Sequence, residues 1–160
     1  AFIAARKAID LAMYTLSVNY LNQALIQAYE RGISLRIILA QREARKNYAI
    51  TSQLLQAGIP ARFLSPRRGL FHHKFTLVDG QTLITGSGNF TSSMEYRNYD
   101  ATLLLFEHVL IEKFLTEFDR LWQEATPVLD GRMKLKPRYH KHPMSSGKEY
   151  WHPVSYEHTG

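Results

Sequence analysis

The stretch FHHKFTLVDGQTLITGSGNF, residues 71–90, decides how this chain is read. Side chains of a strand alternate between two faces. His72, Lys74, Thr76 and Val78 therefore share one face, and His73, Phe75, Leu77 and Asp79 share the other. Asp79-Gly80 is a hairpin signal, because glycine tolerates the positive φ that a tight turn needs. With a two-residue loop, Val78 faces Gln81, Lys74 faces Thr85 and His72 faces Ser87. Asn89 follows on the same face, so one hairpin gathers His72, Lys74, Ser87 and Asn89 into a polar patch. A register slip of one residue would rearrange that patch.

Such a patch suits a phosphoryl group. The transition state of phosphoryl transfer needs cations and hydrogen-bond donors around its oxygens. Lys74 supplies charge, and the Ser87 hydroxyl and Asn89 amide supply donors. Gly86 and Gly88 allow close backbone approach to a ligand. The imidazole of His72 titrates near neutral pH and can attack phosphorus or carry a proton. His73 falls on the other face with Phe75 and Leu77 and reads as a packed structural histidine.

His72-x-Lys74, four residues, Asp79, six residues and then Gly86-Ser87-x-Asn89 resembles the HKD signature of the phospholipase D superfamily, with matching spacing throughout. The likeness extends outward. AIDLAMYTLSVNYLNQALIQAYERGISLRIIL (8–39) resembles the strand-helix-strand that opens such domains, and LLQAGIPARFL (54–64) the segment before the hairpin. EYRNYDATLLLF (95–106) and FLTEFDRLWQEA (114–125) resemble the closing strand and helix. The resemblance covers about residues 1–126 and is closest to small nuclease-like members with a single motif per chain.

The resemblance implies a homodimer, because one histidine cannot be nucleophile and proton donor at once. His72 of one subunit would form a phosphohistidine, and His72 of the other would protonate the leaving oxygen and then activate water. It implies no metal and no cofactor, since paired Lys74, Ser87 and Asn89 sets balance the charge. The family's orienting acid aligns with Asp100 in RNYD, where this sequence carries Asp in place of the commoner Glu. Glu95 then reads as a surface or supporting group. Asp79, at the turn, reads as a structural Asx residue.

The wider chain reads as an α/β domain with a mixed, mainly parallel sheet between helices. Helical character is expected over residues 1–8, a strand over 9–15, a helix over 18–31 and a strand over 35–39. A helix over 47–57, a strand over 61–64, the hairpin, a strand over 101–106 and a helix over 108–124 follow. The catalytic domain is expected over 1–127, lacking its first strand, with a basic tail over 128–160. No internal repeat is visible.

With 160 residues and 45% hydrophobic content, the chain can build one core. No apolar run reaches membrane-spanning length. No signal peptide is visible. The chain begins at Ala1, which suggests an upstream part has been removed; export or a membrane anchor would enter only through such a segment, and the compartment is left open. The absence of cysteine excludes disulfides and thiolate metal sites.

The net charge of +6 points toward a phosphate backbone. Arg67 and Arg68 precede His72 closely and are expected to contact substrate. Arg42, Arg45 and Lys46 form a second cluster that reads equally well as a solvated face. Phe71 and Tyr96 could stack on bases or belong to the core. In the tail, His140, His142, His152 and His158 lack the carboxylate or cysteine partners of a metal site, and a basic extended arm is the simpler reading. Three functions stay open: a metal-independent nuclease on DNA or RNA, which the charge favours; a phospholipid phosphodiesterase; and a nucleic-acid-binding module without turnover.

Overall fold

The structure, a computed structural model, describes residues 2–127, 139–143 and 149–153. The buried strand expected first is β1 (Ala8–Met13). It leads into α1 (Asn19–Glu30) and returns as β2 (Ser34–Ala40), which pairs with β1 in parallel. Gly32, at φ 86°, ends the helical run in a conformation that only glycine adopts without strain. A short α2 (Gln41–Lys46) and α3 (Tyr48–Gln56) then lead to β3 (Ala61–Leu64), again parallel to β2. β4 (Lys74–Val78) and β5 (Thr82–Gly86) form the hairpin. After α4 (Ser92–Tyr96) come β6 (Thr102–Leu105), α5 (His108–Glu124) and β7 (Thr126–Pro127).

These strands form one mixed sheet in the order β6-β5-β4-β1-β2-β3-β7. Two pairings are parallel and four antiparallel, so parallel pairing is the minority rather than the rule. The reason lies in the connections. β1-α1-β2 and the helical run from β2 to β3 are the crossovers that join parallel neighbours. The tight turn between β4 and β5 can join only antiparallel strands, and β6 adds to β5 in the same sense.

Alternation along β1 builds two cores. Ile9, Leu11 and Met13 pack with Leu25 and Ala28 of α1 and Leu54 of α3. Ala12 faces the other way, with Phe75, Leu77 and Leu83, beneath Ile111, Phe118 and Leu121 of α5. Helices thus cover both faces. Across the second face, Arg36 pairs with Asp10 at 2.7 Å and Asp119 at 2.7 Å, its guanidinium lying over the Phe118 ring.

The hairpin differs from the expected register. Phe75 pairs with Thr85 and Val78 with Thr82, so the loop is Asp79-Gly80-Gln81. Asp79 and Gly80 both have positive φ, 57° and 64°, and the Gln81 amide returns to the Val78 carbonyl at 3.0 Å. This extra loop residue slips the return strand by one. Lys74 therefore does not face Thr85, and His72 lies in the loop before β4 rather than in a strand opposite Ser87.

At the N-terminus only Phe2–Ala4 is helical, as a single 3-10 turn. Near the C-terminus, β8 (Tyr139–Pro143) and β9 (Glu149–Pro153) pair as antiparallel strands where an irregular arm was expected. The rest of the 128–160 tail, His158 included, lies outside the described residues. No helix among the described residues is long and apolar enough to cross a membrane.

Candidate active site

Despite the slipped register, the polar residues lie at the open end of the hairpin, where β4 begins and β5 ends. The loop over residues 65–73 delivers His72 just ahead of β4, and Lys74 is the first residue of that strand. The Lys74 ammonium lies 3.1 Å from each ring nitrogen of His72 and donates to its carbonyl at 3.1 Å. The backbone fixes this pair: Met13 pairs with Lys74, and the Tyr14 amide donates to the His73 carbonyl at 2.8 Å. Burial holds the Lys74 ammonium below the ordinary lysine range, and the nearby Asp100 carboxylate pulls it partly back up.

Ser87 follows β5 directly. Its hydroxyl donates to Asp100 Oδ1 at 2.7 Å and accepts the Ala101 amide at 3.1 Å, while its own amide donates to the Ala101 carbonyl at 3.1 Å. Gly86 makes this approach feasible. A Cβ there would stand 1.9 Å from the Ala101 carbonyl oxygen, so this glycine serves the β5–β6 contact rather than a ligand. Asn89 Oδ1 and Asp100 Oδ2 are both buried without a hydrogen-bond partner.

Asp100 is bonded to Ser87 and not to the imidazole. Among the described residues, the His72 ring nitrogens meet only Lys74, and its ring stands edge-on to Tyr14 at 4.7 Å. The shorter side chain of Asp, noted in the sequence, is committed to the serine in this geometry. Glu95 lies on α4.

His73 turns away into the α5 face, between the rings of Phe71 and Phe75. Its Nε2 lies 3.6 Å from Glu117 Oε1. Burial lowers its affinity for a proton, with Glu117 working against that and Arg120 and Lys74 reinforcing it. Asp79 is bonded away from the site. Its carboxylate accepts the amides of Arg6, Lys7 and Ala8 at 2.7–3.2 Å, fastening the chain where it enters β1.

Arg67 and Arg68 are exposed on the loop that carries His72, and Leu70 beside them is 67% exposed. Phe71 is buried and belongs to the core, whereas Tyr96 is exposed. Lys46 of the second basic cluster is tied to the buried Glu43 at 2.6 Å. No group of His, Asp or Glu able to hold a metal ion occurs among the described residues. Sequence reasoning passed over Tyr14 and Glu43. Tyr14 is an aromatic at the end of a buried strand, and Glu43 sits inside a run that reads as basic. Neither has a signal until β1 and α2 are placed beside the hairpin.

Comparison with known proteins identifies the family and the fold. The family model described as cardiolipin synthase, PLD-like domain, matches residues 1–122. This chain belongs to the phospholipase D superfamily. The mouse mitochondrial cardiolipin hydrolase is 32% identical over 140 residues, covering 88% of this chain and 63% of that protein. A phospholipase D of Rickettsia prowazekii is 32% identical over 111 residues, covering 69% of this chain and 54% of its own length. The chain thus spans less than two thirds of these curated relatives. Among solved structures, the phospholipase D family member Nuc from Salmonella typhimurium superposes with a TM-score of 0.75 at 28% identity, covering 81% of this chain and 87% of Nuc.

Proposed function

We propose that the protein is a phosphodiesterase that cleaves nucleic-acid phosphodiester bonds without a metal ion, through a phosphohistidine formed at a site shared by two copies. The observation that carries the reading is that the His72–Lys74 pair lies within electrostatic reach of the Ser87–Asp100 pair, Asp100 acting on the Lys74 ammonium.

In the first step, a neutral His72 nitrogen attacks phosphorus and the P–O bond to the leaving group breaks. Protonated His72 of the second copy gives its proton to the departing oxygen. In the second step, that histidine, now neutral, takes a proton from water. The resulting nucleophile attacks phosphorus, the N–P bond breaks, and both imidazoles return to their starting states. Lys74, Ser87 and Asn89 face the non-bridging oxygens, where charge stabilisation lowers the barrier most.

A surface for the second copy supports this arrangement. β6 is an edge strand of the sheet and begins two residues after Asp100. Leu103, Leu104, Phe106 and Val109 are each more than half exposed there. An apolar, unpaired edge beside the site fits burial against a second copy. A two-fold pairing also supplies the second histidine that the chemistry needs.

The net charge and the exposed Arg67 and Arg68 favour a polyanionic strand as substrate. A phospholipid phosphodiesterase is the second reading, favoured by the named activity of the mouse relative and by exposed Leu70 beside the arginines. The test is a substrate panel in excess EDTA: labelled single- and double-stranded DNA, RNA, and cardiolipin vesicles, each with His72→Ala as control. Cleavage of a nucleic acid by the wild type alone supports the proposal. Hydrolysis of the lipid with all nucleic acids left intact overturns it in favour of the second reading.

A further inference from the structure

One buried carboxylate outside the motif is tied to both halves of the site. Glu43 of α2 is only 8% exposed, and Lys46 holds its Oε1 at 2.6 Å. The same carboxylate accepts the Tyr14 hydroxyl at 3.5 Å on Oε1 and the Thr15 hydroxyl at 3.4 Å on Oε2. Each hydroxyl contact is long. They act as a pair on a group that the lysine fixes in place.

Tyr14 and Thr15 belong to a short strap, residues 14–17, that follows β1. Its backbone bonds reach in two directions. The Tyr14 amide donates to the His73 carbonyl at 2.8 Å, the residue beside His72. The Phe90 amide, beside Asn89, donates to the Thr15 carbonyl at 3.1 Å, and the Ser17 amide donates back to Phe90 at 2.8 Å. The Tyr14 ring is also the wall on which the His72 imidazole stands, and Lys74 Nζ lies 5.5 Å from its centroid. The strap thus joins the His72–Lys74 half of the site to the Asn89 half.

We infer that Glu43 is a positioning residue: through Tyr14 and Thr15 it sets the strap that holds the His72 imidazole and Asn89 in one geometry. The inference rests on the phosphodiesterase reading of His72. Burying the Glu43 carboxylate against a lysine that stays exposed gains little stability over an apolar side chain of similar size. Its value lies in alignment. Misplacing a reacting group by about 1 Å can cost roughly 100-fold in rate.

The test compares Glu43→Leu, Glu43→Gln, Tyr14→Phe and Thr15→Val with the wild type. Turnover is measured on a labelled oligonucleotide, folding by thermal melting, and the His72 ring by its proton–carbon NMR signals, assigned by their loss in His72→Ala. In folded Glu43→Leu, kcat is expected to fall about 10-fold or more with KM within about twofold, the signature of lost alignment rather than lost binding. Glu43→Gln, which keeps an acceptor oxygen, recovers part of the loss. The His72 signals shift in Glu43→Leu although the two residues share no contact. If Glu43→Leu fails to fold, Tyr14→Phe and Thr15→Val, which remove only the hydroxyls, carry the same expectation in smaller measure. Folded variants with unchanged kcat and unmoved His72 signals overturn the inference. An inactive wild type whose His72 signals still respond to Glu43 overturns the hydrolytic reading and leaves the coupling standing.

Discussion

The Ser87 hydroxyl donates to Asp100 Oδ1 at 2.7 Å, so the carboxylate that follows the motif is spent on the serine rather than on the imidazole. Its influence on the site reaches Lys74 instead, whose ammonium it stabilises against the effect of burial. Asp100→Asn removes that support, and the affinity of Lys74 for its proton, already below the ordinary range, falls further. The alkaline limb of kcat/KM against pH therefore moves to lower pH in the variant. A limb that stays in place or moves upward would show that Lys74 does not set it.

Gly86→Ala tests the β5–β6 contact that presents Ser87. A methyl group there meets the Ala101 carbonyl oxygen at 1.9 Å, which neither backbone can yield cheaply. Overpacking of this kind costs about 1–3 kcal/mol. Gly88→Ala meets the flexible side chain of Met94 at 2.8 Å and should cost less. Urea denaturation of both variants checks the order.

Asp79→Ala leaves the amides of Arg6, Lys7 and Ala8 without their acceptor and places a Cβ residue of ordinary preference at φ 57°. The loss of these bonds is expected to cost about 1–3 kcal/mol. Partial burial raises the carboxylate's proton affinity, but the bonds from Ala8, Arg6 and Lys7 outweigh it and the net shift is downward. Its contribution is therefore complete above the unfolded value, about 3.9, and is lost as pH falls through the lower folded one. Asp79→Asn keeps the tolerance for positive φ and should fall between the two in acid and urea titrations.

His73 gives a pH signature of the same direction in a higher window. Burial disfavours its charged form, so the unfolded chain binds this proton more readily than the folded one. Stability should be full above the unfolded value, about 6.5, and decline as pH falls from there toward the lower folded value. His73→Gln removes that component and flattens the urea midpoint between neutral and mildly acidic pH. An equal slope in wild type and variant would place the titration elsewhere.

Much of this arrangement could be read in the sequence. The α5 helix and β3 follow from period and punctuation, and their bounds match the expected ones. The grouping of His72, Lys74, Ser87 and Asn89 rests on motif spacing, and the hairpin register offered for it is off by one. Asp79 and Gly80 take the positive φ expected of a two-residue turn, yet pairing resumes one residue later, and residue preferences alone do not separate the two registers. Tyr14 and Glu43 were illegible for a different reason. Their roles depend on α2 and the end of β1 meeting the hairpin, a relation between distant segments that no local pattern encodes.

The central claim is that His72 becomes covalently bonded to the substrate's phosphorus. The direct measurement is a rapid quench of the wild type with a phosphorus-labelled oligonucleotide in EDTA, followed by peptide mapping under alkaline conditions, which preserve a phosphohistidine. The account predicts transient label on the peptide containing His72, absent in His72→Ala and retained in His73→Gln. Turnover without any labelled peptide, or label that persists in His72→Ala, would contradict it.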